Sequence, residues 1–214
     1  MNSFALTAVP AVAALLVGHL PLETSSARPP ASRIPDGCTV VGTPGDDDLR
    51  GTEGPDVICG LAGDDRIRAL GGDDIVFGGA GIDDIFTFEG RDTVRGGPDH
   101  DDIFSGAGAD RVWGGGGPDL ISGFRGADAL HGGPGRDLIK ANLGNDHAWG
   151  GSDRDVIYGT RGVDVLHGGP GSDFCLFSAD GIADDSVYGG GGLDAFEIDT
   201  GDAPSSLETA VDCH

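Results

Sequence analysis

One acidic residue recurs at a fixed interval through most of this 214-residue chain. Asp stands at every ninth position from Asp47 to Asp173, fifteen times without a break. Carboxylates can act as acids, bases, nucleophiles or metal ligands. A register this strict is explained by repeated cation binding rather than by a single catalytic centre. The neighbouring positions agree. Counting Asp as the sixth residue of a nonapeptide, the fourth is Gly in thirteen units, with Asp99 and Asp153 the exceptions. The eighth is apolar throughout, from Leu49, Ile58 and Ile67 to Ile157, Leu166 and Cys175. Gly-rich turns expose backbone carbonyls, and carbonyls with carboxylates are the donors that hard cations take.

The units run from Gly42-Thr-Pro-Gly-Asp-Asp-Asp-Leu-Arg to Gly168-Gly-Pro-Gly-Ser-Asp-Phe-Cys-Leu. They match the pattern G-G-x-G-x-D-x-U-x. The chain therefore resembles the RTX, or haemolysin-type calcium-binding repeat, family over residues 42–176. The resemblance implies an all-β fold, a right-handed parallel β-roll with two nonapeptides per coil. It implies calcium held between successive turns on the same edge by sixth-position Asp side chains and backbone carbonyls. Carried over by motif position, one edge holds Asp47, Asp65, Asp83, Asp101, Asp119, Asp137, Asp155 and Asp173. The other holds Asp56, Asp74, Asp92, Asp110, Asp128, Asp146 and Asp164. The gaps along both edges offer up to about 13 sites. Magnesium suits them less, because it demands rigid octahedral geometry and retains water.

The elements that position these carboxylates are legible too. The first six residues of each unit have the composition of a turn with left-handed backbone. The last three read as a minimal strand whose eighth side chain points in while the seventh and ninth point out. Such a strand is stable only when stacked copies bury the eighth positions as ladders. Units opening at Gly78, Gly96, Gly114, Gly132, Gly150 and Gly168 begin Gly-Gly, and the units between them do not. That alternation independently indicates an 18-residue coil. Stacked strands lie about 4.8 Å apart, and two carboxylates at that spacing repel by roughly 3 kcal/mol at an effective dielectric near 20. A cation between them is therefore needed. The roll is expected over residues 37–197. After Leu176 the register slips by three residues, with an irregular loop at 177–184, and resumes at Asp185-Ser-Val187. Residues 198–214 would cap the last coil.

Composition limits the partners. The chain has 13 basic and 36 acidic residues and a formal charge of −23. Nucleic acid and anionic membrane both require a basic surface, so neither is expected. Neither H-E-x-x-H nor G-x-S-x-G occurs, and the chain is read as a non-enzyme. The alternative is a surface or matrix adhesion module that uses an aromatic face for glycan. Phe77, Trp113 and Trp149 occupy ninth positions two coils apart, with Arg95, His131 and His167 between them. The apolar seventh-position stripe Leu120, Leu138, Val156 and Phe174 is expected to meet the loop and tail after Leu176 or, next, a protein partner.

Residues 1–27 read as an export signal, apolar over residues 4–17 and ending in small residues before Arg28, with 28–36 as a linker. The mature protein is then secreted and inserts no segment into a membrane. Four cysteines in an exported chain permit disulfides. Cys38 with Cys59 and Cys175 with Cys213 is the favoured pairing, one bridge at each end of the array. N-terminal sequencing of secreted material should begin at Arg28; recovery of only the intact chain from cytoplasm would refute export.

Overall fold

The structure, a computed structural model, describes residues 37–176, 185–193 and 195–197. The expected leader, linker, irregular loop and terminal cap lie outside these residues, as does Cys213.

Strand follows turn without interruption, and the described residues form eighteen strands in two nine-stranded sheets. Successive strands alternate between the sheets, and every pairing is parallel. The register is 18 residues: Ile58 lies beside Val76, and Ile67 beside Ile85. Two nonapeptides therefore make one coil of an all-β roll. Past Leu176 the offset becomes 21 residues, with Leu166 beside Val187. The three-residue slip is absorbed before Ser186.

Eighth-position side chains form the core. Ile58, Val76, Val94, Val112, Leu130, Ala148 and Leu166 point inward from the first sheet, and Leu49, Ile67, Ile85, Ile103, Ile121, Ile139 and Ile157 from the second. All but Leu49 are fully buried. β-Branched residues suit these strands because their branched side chains pack on the pleat. Val40 and Val187 pack against the ends of the cluster.

Asp48–Arg50, Arg66–Arg68, Asp84–Phe86 and Asp102–Phe104 are the three-residue strands that the sequence predicts, but others are longer. Val57–Ala62, Ile75–Ala80, Leu120–Arg125 and Val165–Pro170 each continue through the first three positions of the following unit. The first position is a second inward site, buried at Gly60, Ala69, Gly78 and Ala141. Its composition resembles a turn, yet its backbone is extended. The left-handed backbone comes one residue later, at the second position, where Gly79 has φ 127° and Leu70 φ 86°. At the fourth position, Asp153 takes the left-handed conformation its neighbours give to Gly, with φ 82°. Asp99 does not; its Oδ2 accepts the Gly81 N–H at 3.1 Å.

The Cys38–Cys59 disulfide joins the entry segment to the first sheet, with Cα atoms 6.1 Å apart. Cys175 lies in the strand Phe174–Leu176. On the outer face of the first sheet, ninth-position groups form a continuous stack. Arg95 lies against Phe77 and Trp113, and Trp113, His131, Trp149, His167 and Tyr188 follow with interplanar angles of 2–9°. The ring faces cover one another. Sugar rings stack on exposed faces, so this geometry disfavours Trp113 and Trp149 as a glycan platform.

Ile121→Ala should destabilise the folded roll by about 2–5 kcal/mol, as expected for a large-to-small change in a tight core. Denaturant titration at saturating calcium measures it. An unchanged midpoint would mean the ladder is not the core.

Candidate metal centre

Each turn delivers one Asp to the sheet edge at the point where the backbone re-enters a strand. Along one edge, the Asp47 N–H donates to Asp65 Oδ1 at 2.9 Å, Asp65 to Asp83 at 2.9 Å, and Asp83 to Asp101 at 2.9 Å. The series continues through Asp119, Asp137 and Asp155 to Asp173. The second edge repeats it from Asp56 through Asp74, Asp92, Asp110, Asp128 and Asp146 to Asp164. Every Asp in the sequence-derived set thus joins one of two columns. The second column has a member outside that set: the Asp164 N–H donates to Asp185 Oδ1 at 2.7 Å. The sequence showed the three-residue slip and the register resuming at Asp185; the structure adds the hydrogen bond that joins Asp185 to the column.

One oxygen of each carboxylate is used in this way. The other, Oδ2, has no hydrogen-bond partner at any sixth-position Asp from Asp65 to Asp155. These eleven residues are only 0–3% exposed. A buried carboxylate oxygen without a partner is costly, and here it repeats at every turn.

The turns bring further oxygens to the same region. A Cβ built on Gly96 would meet Asp101 Oδ2 and lie 2.7 Å from Gly114 O; one on Gly132 would meet Asp137 Oδ2 and lie 2.6 Å from Gly150 O. At the fourth position, a Cβ on Gly126 would meet Gly108 O and lie 2.9 Å from Asp128 Oδ1. Gly is required at these points because oxygen atoms occupy the space of a side chain. The donor set is oxygen only and mixes carboxylate with carbonyl, which fits a hard cation such as calcium. No cluster of three or more His, Cys, Asp or Glu side chains able to hold a metal occurs among the described residues. An ion held here would draw on main-chain oxygens as well as carboxylates.

The N-terminal end is built differently. Asp47 Oδ2 accepts the Thr43 N–H at 2.5 Å and the Thr43 hydroxyl at 3.0 Å. Asp56 Oδ2 accepts the Thr52 N–H at 2.7 Å and hydroxyl at 2.9 Å, and its Oδ1 accepts the Thr39 hydroxyl at 2.9 Å. Burial raises the Asp56 pKa, but these bonds outweigh it and hold the carboxyl below its usual value. Threonines thus satisfy the first rung of each column without metal.

Inside the columns the electrostatics reverse. Burial pushes Asp83, Asp101, Asp119, Asp128 and Asp155 up to about 7, against the opposing bond from the preceding Asp N–H, and column neighbours add to the rise. Burial likewise brings Asp74, Asp110, Asp137 and Asp146 up to about 6.

The family model for the RTX calcium-binding nonapeptide repeat (4 copies) matches residues 41–76, 51–85, 77–112, 86–121, 104–139 and 140–175. No curated protein matches the chain.

These pKa values are raised above the unfolded value of 3.8. The metal-free roll therefore binds more protons than the unfolded chain. Its stability from this source is complete below about pH 4 and falls as pH rises through about 6–7. In chelator, circular dichroism should show more β structure at pH 5 than at pH 8. The opposite order would contradict the burial of the columns.

Proposed function

The chain belongs to the RTX calcium-binding nonapeptide repeat family, and from that premise we propose that it is a secreted protein whose roll folds as it binds a series of calcium ions. The observation that carries this reading is the column of buried, unpartnered carboxylate oxygens from Asp65 to Asp155. Bound calcium would supply the positive charge that lets these groups stay ionised side by side. The Asp carboxylates would hold the ions together with carbonyls of the glycine-rich turns. Asp164 and Asp173 continue the two columns, and Asp185 adds one gap to those counted in the sequence. Asp47 and Asp56 contribute least, because Thr43 and Thr52 already satisfy them.

Folding is coupled to the ions because little else favours the roll. Its core is one side chain thick from each sheet, and Gly-rich turns lose much backbone entropy on ordering. Ions that bind only the folded chain stabilise it by mass action. Export is supported by the apolar run at residues 4–17 and by the Cys38–Cys59 bridge, which belongs to an oxidising compartment. Cleavage after Ala27 and a Cys175–Cys213 bridge complete the proposal.

Far-UV circular dichroism during calcium titration at pH 7.5 should show a disordered chain becoming β-rich in a steep transition at millimolar calcium or below. Magnesium should do much less. Asp119→Asn removes a rung from two interior gaps and should raise the midpoint several-fold, more than Asp47→Asn. Equal β content and heat stability with and without calcium would reject coupled folding. Equal effects of the two substitutions would reject the assignment of the columns.

A further inference from the structure

The outer face of the second sheet carries a feature that the carboxylate columns do not use. Ninth-position Phe86 and Phe104 stack with centroids 5.0 Å apart and planes at 8°. Beside them stand second-position Phe88 and Phe124, each 45% exposed. Their ring centroids lie 6.3 Å from Phe86 and Phe104, respectively. Gly106 occupies the rung between Phe88 and Phe124, so that row has a ring, a gap and a ring. These residues, with Glu89, Ala107 and Arg125, line an open groove of about 630 Å³, a volume typical of small-molecule sites. A strand spacing of about 4.8 Å separates the outer rungs by about 9.6 Å. The Phe88 and Phe124 rings are tilted by 30° and 46° from Phe86 and Phe104, respectively. A planar ring entering the gap would therefore meet the walls in the offset or edge-to-face contacts that aromatic pairs favour.

The neighbouring row repeats this arrangement with charge. Glu89, Ala107 and Arg125 occupy successive rungs joined by parallel bridges. Glu89 and Arg125 are exposed, and neither forms an ion pair with a described residue. A carboxylate and a guanidinium therefore flank the gap one position along the chain from the two walls. The matching ligand has a planar ring and, close to it, one ammonium and one carboxylate.

We propose that this groove binds a free aromatic amino acid. The ring enters the Gly106 gap between Phe88 and Phe124, over Phe86 and Phe104. The α-ammonium faces Glu89, and the α-carboxylate faces Arg125, whose planar fork suits bidentate pairing. The site is separate from the carboxylate columns and requires only that the roll be folded. Phe88 and Phe124 have φ of 73° and 69°, as do Leu70, Asn142 and Thr160 near these values at the same position. The conformation belongs to the turn, and glycine adopts it more readily than phenylalanine. Removing a wall ring as Phe88→Gly or Phe124→Gly should therefore not unfold the chain.

The test is saturation-transfer NMR and calorimetry on the full chain at millimolar calcium, with folding checked by circular dichroism. The probes are L-phenylalanine and L-tryptophan, compared with phenylethylamine and 3-phenylpropionate, which each lack one charge. Both amino acids should bind, at least fivefold tighter than the singly charged analogues. Phe88→Gly and Phe124→Gly should keep the β signal and weaken binding at least tenfold. Arg125→Ala, a surface change, should abolish the preference for L-phenylalanine over phenylethylamine. Absence of binding to the folded chain, unchanged affinity in a folded Phe→Gly variant, or equal affinity for singly and doubly charged probes would overturn the proposal.

Discussion

Between Asp65 and Asp155, every sixth-position carboxylate is satisfied at one oxygen and unsatisfied at the other, and the roll is arranged around that imbalance. Oδ1 takes an amide of the preceding coil, which fixes the height of each Asp on its column. Oδ2 turns inward toward the first residue of its own unit, away from solvent. A lone carboxylate so placed would be a local fault. Repeated at every coil, it becomes a line of negative charge that only protons or cations can neutralise. The upward pKa shifts and the oxygen-rich turns are two expressions of this one arrangement.

Both edges carry this line of charge, yet they differ in the residues around it. On the edge of Asp65 to Asp155, the first position is Gly from Gly42 to Gly168. On the other edge it is Gly51, Ala69, Thr87, Ser105, Gly123, Ala141 and Gly159. There the inward site admits a small side chain, and two of these are hydroxyls that bond along the stack: Thr87 donates to Ser105 O at 2.7 Å, and Ser105 to Gly123 O at 3.2 Å. The second position follows the same division. It is Gly from Gly79 to Gly169 on the first edge, while the second carries Leu70, Phe88, Phe124, Asn142 and Thr160 on left-handed backbone. One edge is thus nearly uniform, and the other carries chemical variety.

Much of this was legible in the residues. The nine-residue register of Asp and aliphatic side chains specifies parallel stacking, the inward ladder and the 18-residue coil, because each depends on periodicity alone. The three-residue strands were legible, but the continuation of others past their ninth position was not. The first position reads as turn by composition, and only packing reveals that it faces inward and that at Gly96 and Gly132 a Cβ would meet a carboxylate oxygen. The role of Thr43 and Thr52 was hidden for a similar reason: a hydroxyl at the second position becomes a cap only when it reaches the Asp four residues later. Asp185 was legible as the start of the resumed register, while its hydrogen bond from the Asp164 N–H across a 21-residue step was not. The aromatic row on the first sheet was read from spacing, but spacing could not say that its ring faces would be covered.

The unlikeness of the edges makes the coil, rather than the nonapeptide, the smallest interchangeable part. Excising eighteen residues from the middle of the array would return every row to its own sheet. Excising nine would exchange the sheets for everything downstream. Without residues 114–122, for example, His131 would follow Phe104 instead of Trp113, and the phenylalanine and tryptophan rows would each be broken. The nine-residue motif is the visible word of this sequence, but two words make its shortest sentence.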